Sequence, residues 1–165
     1  MRTQSHVARK ARHRSTALLA SAVITTAGLL AATGATAVGQ TPRGSTVHVI
    51  EHAVTDTVVQ SGGGADATGN VLTFHNKVFD RRDKKQVGHD QGFCVRISPA
   101  EGTYECMWTT FLAHGQITVE GPFYDKKNSV LAITGGTGAY RSARGEMNLN
   151  SRHGGTEYDF IFHIS

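Results

Sequence analysis

From residue 38 onward the chain has no apolar run at helical spacing long enough for a useful helix, no internal repeat and no low-complexity tract. That excludes helical bundles, coiled coils and repeat arrays. It has only two cysteines, Cys94 and Cys106, too few for a disulfide-dense scaffold. No G-x-S-x-G nucleophile turn is present, which argues against a hydrolase. Histidines are available, but none is spaced for a metal: His48 and His52 would share an ion only on a helix, and on a strand they lie about 13 Å apart. No metal is expected.

An excess of positive charge is also missing once the start of the chain is set aside. Arg2, Arg9, Lys10, Arg12 and Arg14 form a basic opening without an acid. The weakly apolar stretch Thr16 to Ala32 and the small-x-small pattern Ala35-Thr36-Ala37 follow. These are the three parts of a secretory signal peptide over residues 1–37, cleaved after about Ala37, and they predict an extracellular protein without stable membrane insertion. Of 17 Lys+Arg, 5 lie there, leaving 12 against 13 Asp+Glu, a net charge of about −1. A nucleic-acid partner is therefore not expected. Arg81, Arg82, Lys84 and Lys85 are interleaved with Asp80 and Asp83 and read as a solvated turn.

Residues 38–45 read as a short linker and 46–165 as one domain. Strand patterns fall near 46–52, 70–79, 87–97, 103–112, 115–121, 129–134, 140–149 and 157–164, with turns between them. Eight antiparallel strands with short connections predict an all-β fold, an up-and-down barrel, which leaves no sheet edge exposed. On the second strand Leu72, Phe74, Asn76 and Val78 share a face, as do Tyr158, Phe160, Phe162 and Ile164 on the last and Ile117, Val119, Gly121 and Phe123 between them. A barrel of this size holds one small ligand where side chains leave room. Asn76, the lone amide on an apolar face, needs a hydrogen-bond partner, structural first and ligand second.

With a hairpin loop at Pro99-Ala100-Glu101, Ile97 faces Thr103, Arg96 faces Tyr104 and Cys94 faces Cys106, at a separation suited to a disulfide. Two buried thiols are the alternative. Gly135-Gly136-Thr137-Gly138 resembles a phosphate loop but lacks a following helix, so a tight glycine turn is expected. Glu105, Glu120 and Glu146 read as solvent-facing acids. Glu51 shares a face with Val47 and Val49 and is the candidate for a carboxyl inside the barrel, able to act as a base or as a fixed negative charge.

The runs Asn76 to Phe79, Asp83 to Gly88, Gly92 to Val95, Gly121 to Phe123 and Leu131 to Gly136 resemble the allene oxide cyclases. The glycine turn with its aromatic and Ala143-Arg144-Gly145 resembles the dirigent proteins of the same superfamily. The resemblance covers most of Leu72 to Leu149 and implies a barrel that binds a hydrophobic small molecule, without a cofactor, in a homotrimer. It implies catalytic roles for Glu51 and Asn76, Asn76 holding a water at an epoxide oxygen, and a pocket of Leu72, Phe74, Cys94, Tyr104 and Phe123. This chain departs from the pattern in having Ala53 for an asparagine, no Ser-Pro near Thr57 to Gln60, and Cys106. Arg144 reads as a structural partner of Glu146 or another acid. Alternation over 93–97 would bury Phe93, Val95 and Ile97, whereas the resemblance turns Cys94 inward; both hold if a neighbouring copy covers the outer face. The implied chemistry is cyclisation or isomerisation of a reactive epoxide in a dry cavity; a non-catalytic lipid or polyketide carrier or dirigent-like template is the alternative. If Asn76 serves the substrate alone, Asn76→Ala reduces turnover far more than stability.

Overall fold

A computed structural model describes residues 44–165; the expected signal peptide and nearly all of the linker lie outside the described residues. Nine strands follow one another: β1 Ser45–His52, β2 Thr57–Val59, β3 Val71–Asp80, β4 Gln86–Ser98, β5 Thr103–Leu112, β6 Gly115–Tyr124, β7 Ser129–Gly136, β8 Gly145–Arg152 and β9 Glu157–Ile164. They form one antiparallel sheet in the order β1-β9-β8-β7-β6-β5-β4-β3-β2, and β1 also pairs with β3. That last pairing, Val49 with Asp80 through His52 with Lys77, closes eight strands into a barrel. Short β2 lies on the same side of β3, Thr57 opposite Thr73. The chain between β1 and β2 is thus an interruption along one edge.

The expected alternation holds where one face is polar. Val78, Phe160, Phe162 and Ile164 are buried inside, with Ile117, Val119, Leu131, Ile133 and Met147. Apart from Phe160, which also borders the opposite end, these side chains fill one end of the barrel, each worth about 1.5–3 kcal/mol in area removed from water. The glycine turn closes that end. Gly138 has φ +59, and a Cβ there would sit 2.4 Å from the His114 carbonyl. The 3₁₀ turn Gly138–Tyr140 follows, burying Ala139 and Tyr140. With no longer helix, this loop offers no phosphate site.

Four expectations change. The strand expected over 140–149 begins at Gly145, because the turn continues through Tyr140. Ser98, not Ile97, faces Thr103 across a bulge. Phe93 and Ile97 point outward, 40% and 52% exposed, while Cys94 and Arg96 are buried; the apolar set of this strand lies on its outer face, so alternation reads in the opposite phase. Arg144 is exposed and donates to the Ala143 carbonyl at 2.7 Å, with no carboxylate partner among the described residues.

Cys94 and Cys106 face each other across β4 and β5 and form a disulfide. Joining residues 12 apart in sequence stabilises the hairpin by about 3 kcal/mol in the chain-entropy picture.

Candidate functional site

The other end of the barrel is hollow. A cavity of about 170 Å³ is walled by Leu72, Phe74, Cys94, Cys106, Tyr104, Trp108, Phe123, Leu149, Tyr158 and Phe160, with Glu51, Asp56 and Asp125 as its acids. Cavities near this size accept a benzene-sized guest. A second hollow, lined also by Lys126, Lys127 and Asn128, shares Phe123, Asp125, Leu149 and Tyr158 with it. The space depends on Gly92, opposite Trp108. A Cβ at Gly92 would fall 2.3 Å from that of Trp108, so only glycine lets the indole lie across the wall.

The five residues expected to bind substrate, Leu72, Phe74, Cys94, Tyr104 and Phe123, all line this cavity, and so does Glu51. Asn76 does not. It is buried behind Glu51 with its amide fully engaged. Its Oδ1 accepts the backbone N–H groups of Val54 at 3.0 Å and Thr55 at 2.9 Å, and the Thr55 hydroxyl at 3.0 Å. Its Nδ2 donates to Glu51 Oε1 and, at 2.8 Å, to Asp56 Oδ1. No donor or acceptor remains for a water at the substrate, the role that the resemblance implies. Asn76 instead bridges the break between β1 and β2 and orients two carboxyls.

Glu51 is 4% exposed, and its Oε2 has no hydrogen-bond partner. Burial first, then the charges of Asp90 and Asp56, push its carboxyl up to about 9, against the lowering effect of the Asn76 amide. Such a group is neutral at neutral pH and has a proton to give.

Asp90, opposite Asn76 on β4, escaped the sequence reading because an acid among His89 and Gln91 looks solvent-facing. Alternation counted back from an inward Cys94 would have found it, together with Arg96. Arg96 is buried, lies 3.9 Å over the Tyr104 ring, and pairs with Asp66 at 2.7 Å and Asp125 at 2.8 Å. It ties the loop before β3 to the cavity rim. Trp108 was also missed; it meets Phe74 edge-on and Phe160 at a tilt.

At the barrel end nearest Glu157, His52, Asp83 and Glu157 bring three ligand atoms within 4.8 Å of one another, a set able to hold a metal. They already have polar partners: His52 lies 2.8 Å from Asp83, and His153 lies 3.0 Å from Glu157.

The family profile described as Allene oxide cyclase matches residues 40–160. Among solved structures, a pyocyanin demethylase is 24% identical, covering 73% of this chain and 100% of its own, with a TM-score of 0.64. A pterocarpan synthase dirigent protein is 24% identical, covering 73% and 96%, with a TM-score of 0.60. A Diels-Alderase from Streptomyces koyangensis is 12% identical, covering 73% and 69%, with a TM-score of 0.56. At these identities the likeness is one of fold; the chemistries those names denote differ, on one barrel.

Proposed function

The chain belongs to the allene oxide cyclase family, and on that premise we propose that it is an exported barrel that binds a hydrophobic small molecule beside Glu51 and isomerises it by ring closure. The observation that carries this reading is a buried carboxyl with an unpaired oxygen in the wall of an otherwise largely apolar cavity. The apolar walls would fold a flexible substrate into one conformer and keep water from a reactive intermediate. Glu51 would meet the substrate oxygen, with Asn76 as the residue that positions it. A carrier or dirigent-like template needs only the walls. An acid buried with one oxygen unpaired costs stability that storage does not require, which favours catalysis.

Export is supported by the leader pattern and by a disulfide, which persists in oxidising compartments. A homotrimer is supported by the outward Phe93 and Met107, directly paired on neighbouring strands, and by Ile97 near them. Light scattering on the oxidised protein gives the copy number, and a monomeric mass would remove the trimer.

The test of function adds purified, oxidised protein to freshly generated fatty-acid allene oxide and resolves the cyclopentenone by chiral chromatography. One enantiomer in excess over the spontaneous product is expected. A racemate at the spontaneous yield would exclude this substrate and turn the reading toward a carrier or template.

A further inference from the structure

Asn76 lies between two acids. Its side-chain N–H donates to Glu51 Oε1, and its backbone N–H donates to Asp90 Oδ1 at 3.2 Å. Asp90 is 0% exposed, and its second oxygen, like that of Glu51, has no partner. Neither carboxyl forms an ion pair among the described residues; Arg96, the buried cation farther along β4, is held by Asp66 and Asp125. The remaining groups around the two acids supply no positive charge. They are Asp56 ahead of β2, the Tyr158 phenol on β9, and Thr110, which pairs with Asp90 on β5.

We propose that Asp90 belongs to the site as a positioning residue: fixed on the Asn76 backbone N–H while Glu51 is fixed on the Asn76 side chain, it keeps the proton on Glu51, and Glu51 delivers that proton to an oxygen of the substrate. This rests on the reading of Glu51 as the group that meets the substrate. Two carboxyls this dry and this poorly compensated do not both ionise at neutral pH. Burial, opposed by the Asn76 backbone N–H and reinforced by Asp56, raises Asp90 to about 7, and Asp90 is the larger of the two charges raising Glu51. A purely structural acceptor for the Asn76 N–H would not need a charge; a threonine or an asparagine would suffice. The bare second oxygen has no structural use.

The substrate is that of the proposed function, a reactive epoxide whose oxygen gains basicity as the ring forms. The Glu51 proton goes to that oxygen as its C–O bond breaks, the electron pair staying on oxygen. A delocalised cation bearing an O–H remains. Its termini join in a new C–C bond, and the Glu51 carboxylate takes the O–H proton back as the carbonyl forms. One proton leaves and one returns, so the product is an isomer and no co-reactant is consumed.

The test is a carboxyl ¹³C NMR titration of the oxidised protein and of Asp90→Asn, which keeps an oxygen for the Asn76 N–H, alongside the pH profile of enantiomeric excess. In the wild type, the Glu51 and Asp90 signals should move together in the same two steps. In Asp90→Asn, the Glu51 midpoint should fall by about one pH unit or more, and the alkaline loss of enantiomeric excess should fall with it. A Glu51 midpoint unmoved by Asp90→Asn would overturn the proposal. Independent titration of the two signals in the wild type would also overturn it, even if the variant does not fold. Failure of the functional reading has a different signature: a racemate from the wild type at every pH, whatever the carboxyl signals do.

Discussion

Asn76→Ala should lower stability by about 2–4 kcal/mol, read as a lower urea midpoint at unchanged slope. The loss comes from what the amide leaves behind. Val54 and Thr55 lose the acceptor for their backbone N–H groups, and Glu51 and Asp56 lose their shared donor. The backbone groups sit where β1 has ended and β2 has not begun, so no ladder partner replaces the lost bonds. Turnover and stability should therefore fall together, and this reverses the separation expected if Asn76 serves only the substrate. A stability change within about 0.5 kcal/mol, the range of an ordinary surface substitution, would show that the amide is not the strut between these segments.

The same residue shows how far the sequence could be read. An amide among Leu72, Phe74 and Val78 marks itself as needing a partner, and structural use was the better expectation. Its partners come from residues 51–56, whose path is set by the closing of the barrel and not by any local pattern. Strand β5 was legible to both ends, because Pro99 to Gly102 and His114-Gly115 bracket it and because the cysteine register fixes its phase. The start of β8 was not, since Ala139 and Tyr140 are as apolar as strand residues but pack into a turn that plugs the barrel. The cavity residues on β3 and β6 followed from period-two alternation. On β4 the same rule was applied in the wrong phase: Phe93, Val95 and Ile97 are the more hydrophobic set, yet Asp90, Gly92, Cys94 and Arg96 face inward. Hydrophobicity misleads there because β4 turns two charged residues inward, Asp90 onto the Asn76 backbone and Arg96 onto Asp66 and Asp125, and leaves apolar ones on the outer face.

Glu51→Gln should reduce turnover by about 10²–10⁴-fold, the usual worth of a general acid, while raising stability at neutral and alkaline pH. The two effects have opposite signs because one proton governs both. Glu51 in the folded protein holds its proton up to about 9, whereas its ordinary value is 4.5. Between those values the folded chain binds a proton that the unfolded chain has released, so stability declines as pH rises through that window. Asp90, raised to about 7, adds to the decline over the lower part of it. Glutamine keeps the carbonyl that accepts the Asn76 amide but has no charge to bury, so it removes the Glu51 share of this decline. Melting temperatures measured from about pH 5 to about pH 9 should thus fall for the wild type and fall less for Glu51→Gln. A loss of turnover with a flat, unchanged melting profile would place Glu51 in contact with solvent. A variant that is stabilised yet fully active would remove Glu51 from the chemistry and leave the cavity as a binding site alone.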